Sequence, residues 1–337
     1  MNGCQKCETK NCSKDAKGRS QNRCIATIPK DRLRIVHFPH PGQDYPVCRT
    51  NAKLSNGVYA VNWSESGIHC RRLIKHSGAY VDIDWAFHED EELVFWNEWE
   101  GPTFANDIKG RKNKASASFI HVVRYPEVPC VFTSSGGCNF AGGFFGRYGD
   151  LMNTDPCVFG KTFKYSVCRQ TPKGIMRQLA PGSLIVFGSR IGGEFYLDTM
   201  FVVGDVAFDY RDGSDLGLLC SKAYRNLTID RLPTGDYTFY RGVAPNNRQS
   251  LKRQCFSFVP ARLSSVVGYT DRCKLDLVQL NRVAHAKAFD VDVWRNKKTT
   301  AVSTPQIVNV WAEIVQQVRR QEFVLGVRFD WPKKGAN

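Results

Sequence analysis

The clearest helical spacing in this 337-residue chain lies in one segment, 306–321, and strand-like apolar runs outnumber long helices elsewhere. In that segment Ile307, Val310, Trp311, Ile314, Val315 and Val318 fall on one face. Thr304 and Pro305 supply its start, and Arg319 and Arg320 complement the dipole at its end. Residues 176–179 read as the end of a short helix. Strand-like runs fall at 32–38, 57–63, 79–83, 92–96, 119–124, 183–187, 195–203, 237–240 and 256–259. The glycine-rich, aromatic stretch 134–147 reads as a flexible loop. This balance predicts an α/β or mixed α+β domain, with a central β-rich sheet and flanking helices.

Charge divides the chain into three. Residues 1–34 hold 9 basic and 3 acidic side chains, residues 35–214 hold 18 and 19, and residues 215–337 hold 20 and 10. The whole carries +15. A near-neutral centre with basic flanks suits a polyphosphate partner, because backbone phosphates reward clustered Lys and Arg through counterion release. A membrane partner is not expected: no apolar run reaches about 18 residues, and no long basic amphipathic segment occurs. Thirteen cysteines, an odd number, accompany a polar N-terminus without secretory character, which predicts a cytoplasmic setting with reduced thiols. Cys4, Cys7, Cys12 and Cys24 crowd the start at a spacing that can close a structural zinc site, with His37 as a spare ligand. An unstructured basic arm with incidental cysteines is the other reading of 1–30. Residues 31–337 are expected to form a single catalytic domain, basic from about residue 215.

The chemistry is sought first at Asn153-Thr154-Asp155-Pro156-Cys157-Val158-Phe159-Gly160. Pro156 fixes its own φ and pushes Asp155 toward an extended or turn conformation, which presents the carboxylate from a stiffened loop. Asp155 could attack or stabilise a sugar, Asn153 could read a ring edge, and Phe159 or Tyr165 could stack on it. The alternative is an Asx-type turn that only caps local backbone.

The segment 92–102 is the second candidate. On a strand, Glu98 and Glu100 would share a face with Trp96, where paired carboxylates can hold a metal or divide acid and base roles. An exposed acidic edge is the competing reading. A third group joins Trp63, as a stacking ring, to Arg71 and Arg72, as phosphate holders, unless these arginines only line a basic helix face. His40, beside His37 at a strand end, is a binding candidate, though a lone histidine is more often structural. Asp198 lies inside an apolar run, and a buried acid needs a partner.

No phosphate-binding P-loop, HExxH, GxSxG or deaminase zinc signature occurs. Gly42-Gln43-Asp44-Tyr45-Pro46 resembles the GQDPY motif of uracil-DNA glycosylases with its last two residues exchanged. The strand 184–187 with Gly188-Ser189 resembles that superfamily's LLWGS strand. Together the blocks HFPHPGQDYP, NWSESGIHCRRL, FWNEWEGPT, NTDPCVFGKTFKYSVCRQ and PGSLIVFGS…FYLDTMFVV, within about 32–205, resemble phage-defence DNA glycosylases that remove glucosylated hydroxymethylcytosine. That resemblance implies a uracil-DNA-glycosylase-like fold, modified phage DNA as partner, no cofactor for catalysis and an abasic-site product. The competing functions are a non-catalytic reader of modified nucleic acid and a nuclease with Mg²⁺ held by Glu98, Glu100 and Asp198.

Overall fold

In the computed structural model of the protein, residues 33–43, 51–53, 58–61, 71–99, 103–108, 117, 119–123, 131–132, 138–140, 143–145, 154–166, 170, 174–210, 216, 220–229, 237–246, 250–266, 270–290 and 301–333 are described. Its strands are β1 (Ile35–Gln43), β2 (Asn51–Lys53), β3 (Val58–Val61), β4 (Arg72–Val81), β5 (Phe87–Asn97), β6 (Thr103–Asp107), β7 (Phe119–Val123), β8 (Val131–Phe132), β9 (Cys138–Phe140), β10 (Gly143–Phe145), β11 (Lys164–Tyr165), β12 (Leu184–Ile191), β13 (Glu194–Tyr210), β14 (Tyr237–Gly242), β15 (Val259–Leu263), β16 (Cys273–Lys274) and β17 (Val324–Phe329). The helices are α1 (Lys222–Leu227), α2 (Leu277–Ala284) and α3 (Thr304–Arg320).

Two mixed sheets dominate, which corrects the expectation of a helix-flanked α/β fold. One has the order β1-β12-β13-β14-β11, with β16 paired to β13. The other has the order β17-β15-β5-β4-β7-β6-β3-β2, with β17 also paired to β4. Among the described residues only β1–β12 and β4–β7 pair in parallel, so a parallel, helix-covered sheet of uracil-DNA-glycosylase type is not present in them. The physical reason is that strand faces are buried chiefly against strands. Ile185, Phe187, Phe201 and Val203 of the first sheet meet Ile74, Leu93, Phe95 and Phe329 of the second in one core. The expected loop at 134–147 contributes β9 and β10, part of a small third sheet with β8.

The expected helix is present as α3. Ser303 and Gln306 form a reciprocal capping box, and Pro305 lies in the first turn. Its apolar stripe packs with α2 into a second core, formed with Leu184, Val186, Met200 and Leu325 from both sheets. Trp311 donates its indole N–H to the Phe256 carbonyl at 2.9 Å, so its polar tip is satisfied in that core.

β5 explains why 93–96 reads as an unbroken apolar run. Leu93 and Phe95 enter the intersheet core, while Val94 and Trp96 pack with Leu73 and Ile120 on the opposite face. β12 and β13 form a hairpin around Gly192 and Gly193, both at positive φ, as a two-residue turn of matching twist requires. The ladder then slips. Phe187 pairs with Thr199 while Gly188 pairs with Leu197, leaving Asp198 as the extra residue of a bulge. Phe195 and Leu197 before the bulge, and Met200 and Val202 after it, enter the same core, so the bulge corrects the parity of the strand.

Gly188 permits this crossing, since a Cβ there would lie 2.1 Å from the Tyr196 carbonyl oxygen. Gly188→Ala is expected to destabilise the fold by about 1–3 kcal/mol, as overpacking does. Ser303→Ala, which removes the α3 cap, should cost about 1 kcal/mol. Urea denaturation of both variants checks the order.

Candidate functional site

The bulge fixes the first polar group. Asp198 is 1% exposed and its carboxylate meets Arg71, with Nε to Oδ2 at 3.0 Å. Arg71 also donates from Nη1 to Glu98 Oε2 at 2.5 Å. Arg272 stands 4.0 Å from the other Asp198 oxygen, donates to the Ser189 hydroxyl at 2.7 Å and stacks its guanidinium 3.8 Å from the centre of the Trp96 ring. Asn97 donates to the Thr199 hydroxyl at 3.0 Å and accepts from the Glu98 amide. This is a buried charge network bridging the two sheets. Its Coulomb energy and its desolvation penalty are of similar size.

The second group surrounds Asp155. Its peptide bond to Pro156 is cis, and its carboxylate accepts from the Ser166 amide at 3.0 Å and from the Tyr224 hydroxyl at 3.3 Å. The Ser166 and Tyr224 hydroxyls lie 2.7 Å apart. Asp155 is 1% exposed and does not line the cleft described below. Phe159 and Tyr165 are fully enclosed. Phe159 packs on Trp99 at 4.7 Å, and Tyr165 stacks on Tyr240 at 5.8 Å.

The sequence candidates therefore divide. Glu98 joins Arg71 instead of an open surface, and Arg71 lies on no exposed helix face. Arg72 opens strand β4 and is 5% exposed; the His121 pKa is held down by burial and, secondarily, by the Arg72 charge. Glu98 and Asp198 converge on Arg71, which supplies the positive charge that the nuclease reading assigned to a metal. Among the described residues no group of three His, Cys, Asp or Glu is arranged to hold a metal ion. Asn153, Glu100, Trp63, Cys4, Cys7, Cys12 and Cys24 lie outside the described residues. His40 is described only by its backbone in β1.

The site that faces outward is a cleft of about 1000 Å³. One wall is the loop between Cys157 and Lys164, which exchange two backbone hydrogen bonds of 2.8 Å. Gly160 donates its amide to the Phe329 carbonyl at 2.6 Å, docking this loop on β17. Its φ is +93°, and a Cβ there would sit 2.7 Å from the Trp331 Nε1 and 3.1 Å from the Lys164 Nζ. Glycine thus lets lysine and indole close on the loop.

Trp331 follows β17 and is held by its neighbour. The Asp330 amide donates to the Ser77 carbonyl at 3.1 Å, and the Asp330 carbonyl accepts from His76 Nε2 at 2.8 Å. Phe159 packs on the Trp331 ring at 6.1 Å. The residue expected to stack a ligand instead braces the ring that borders the cleft.

Four cations line the cleft, Lys161, Lys164, Arg241 and Arg328, against two acids, Asp205 and Asp330. Arg241 pairs with Asp205, from Nε to Oδ2 at 2.7 Å, and Arg328 pairs with Glu89 at 2.8 Å. Lys161 is exposed and makes no ion pair among the described residues. Lys164 donates to the Phe159 and Thr162 carbonyls, both at 2.8 Å. Burial pulls its pKa below the usual lysine value. Sequence reading passed over this set because its members come from segments far apart in the chain. The one local signal was Trp331-Pro332-Lys333-Lys334, an aromatic residue beside cations.

Compared with known proteins, the chain matches no family model, no curated protein and no solved structure. Among the described residues no helix is long and apolar enough to cross a membrane.

Two predictions come from the buried groups. Arg71→Met strands Glu98 and Asp198 and should cost about 3–5 kcal/mol in urea denaturation. Burial also pushes His37 and His121 down to about 3, helped by Arg190 and Arg72 respectively. Neither ring nitrogen of His37 makes a well-formed hydrogen bond, and the Phe289 backbone offsets its burial only slightly. Both rings stay neutral when folded but take a proton near 6.5 when unfolded. Their stabilisation is therefore complete above 6.5 and lost as the pH falls from 6.5 toward 3, by up to about 1.4 kcal/mol per pH unit for each ring. Denaturation at pH 7 and 5 should show this slope. His37→Leu with His121→Leu should flatten it.

Proposed function

We propose that the protein binds nucleic acid in this cleft, with Trp331 stacking on an unpaired or extruded base and Lys161, Arg241 and Arg328 holding the backbone. The observation that carries the reading is the convergence of an indole and four cations on one cavity large enough for a nucleotide. A ring face supplies sequence-tolerant affinity of about 1–3 kcal/mol per base, and flanking cations track phosphates. The basic C-terminal third provides Arg241, Arg328 and Trp331.

The proposal is for a reader and not for an enzyme that excises a base. Asp155, the carboxylate to which glycosidic cleavage was assigned, is enclosed between the Ser166 amide and the Tyr224 hydroxyl. It is not among the residues that line the cleft beside Trp331. Modified phage DNA, the partner implied by the sequence resemblance, is one nucleic acid to test alongside unmodified single and double strands.

Fluorescence anisotropy with labelled oligonucleotides tests the reading. Trp331→Ala is expected to weaken single-strand binding about tenfold or more. Lys161→Glu should weaken every sequence alike and lower the slope of log K against log salt by about 0.7–0.9, one phosphate's share. Unchanged affinity in both variants would show that nucleic acid, if bound, sits elsewhere.

A further inference from the structure

Two nitrogen donors of the cleft converge on Gly160. A Cβ on that residue would lie 2.7 Å from the Trp331 Nε1 and 3.1 Å from the Lys164 Nζ, so the two nitrogens flank one point on the loop. Their donor capacity is not used up. An ammonium has three N–H groups. The Phe159 and Thr162 carbonyls take two from Lys164, both at 2.8 Å, and no acceptor among the described residues takes the third. The Trp331 indole N–H likewise makes no hydrogen bond among them. Both residues line the cleft.

Charge is left over as well. Arg241 pairs with Asp205 and Arg328 with Glu89. Lys164 is only 4% exposed and pairs with no carboxylate among the described residues. Its two carbonyl acceptors, with the faces of Tyr224 and Trp331 at 5.9 and 5.5 Å from Nζ, are surroundings that favour an ammonium. Burial and the Arg241 guanidinium oppose that charge, and the Cys157 and Cys220 thiols offset them only in part. An oxyanion that accepts the third N–H would supply the missing counter-charge.

We propose that this corner of the cleft seats a phosphate monoester, whose oxygens accept from Lys164 Nζ and Trp331 Nε1. A monoester suits it better than a diester for two reasons. It carries close to two negative charges at neutral pH. It also enters a recess by its free end, whereas a diester must bring two flanking sugars toward a nitrogen that is almost fully enclosed. Two sources share this chemistry: the phosphorylated end of a strand, which rests on the nucleic-acid reading above, and a free nucleoside monophosphate, which does not.

The first test titrates one internally labelled oligonucleotide by anisotropy in unphosphorylated, 5′-phosphorylated and 3′-phosphorylated forms at matched ionic strength. One phosphorylated end is expected to bind about tenfold or more tightly than the unphosphorylated strand, the scale of one hydrogen bond between charged groups. That preference should vanish in Lys164→Gln and shrink in Trp331→Phe, which keeps a ring and loses the N–H. The second test follows the indole protons of the unaltered protein by NMR, with Trp331→Phe assigning the Trp331 signal. Adenosine 5′-monophosphate should move that signal downfield, as a new hydrogen bond to an oxyanion does, and adenosine should not. This readout needs no folded variant at Lys164. A downfield shift without any end preference upholds the seat and counts against the strand end as its source. Absence of both overturns the seat, and unphosphorylated strands that still bind then leave the nucleic-acid reading standing. An end preference that survives Lys164→Gln also overturns it.

Discussion

The burial of Phe159 is the contact on which the candidate site depends. Its ring is fully enclosed by Trp99, Phe95, Phe329, His76 and Trp331, which belong to the second sheet and the segments next to it. An aromatic side chain of this size contributes several kcal/mol when removed from water, and it does so only if the loop carrying it docks against β17. Docking in turn sets Gly160 under Trp331 and turns Lys164 inward. Cleft and core are thus one packing event.

Polar groups that cannot reach water are arranged in a consistent way. Asp198 reaches Arg71 and Arg272 because a bulge in β13 turns it there, and Glu98 completes the network from the end of β5. Asp155 is satisfied by an amide and a phenol. Such networks fix one register between sheets that apolar contacts alone would leave free to slide. Among the described residues, Asp155, Asp198 and Glu98, three acids that looked chemical in sequence, are enclosed in contacts that hold the fold together.

Much of the secondary structure was legible. The α3 stripe and the alternating or continuous apolar runs of β1, β5, β12 and β13 follow from spacing alone, whereas the Ser303–Gln306 cap lies one residue before the start read at Thr304-Pro305. The α/β assignment failed because a continuous apolar strand shows that both faces are covered without showing whether helices or other strands cover them. The site was less legible. Phe159 and Tyr165 are expected from sequence to stack a ring and are instead fully enclosed, because nothing local distinguishes a ring that stacks a ligand from one that fills a core.

By itself the sequence determined the single long helix, the strand-length runs, the need of Asp198 for a partner and the basic excess of the last third. Those features are set by residue spacing and side-chain chemistry within a few turns of chain. Tertiary structure alone decided that sheet packs on sheet, that Asp155 faces inward, and that Lys164 meets Trp331 across more than 160 residues. Long-range pairing depends on which surfaces exclude water together, and no local pattern encodes that choice.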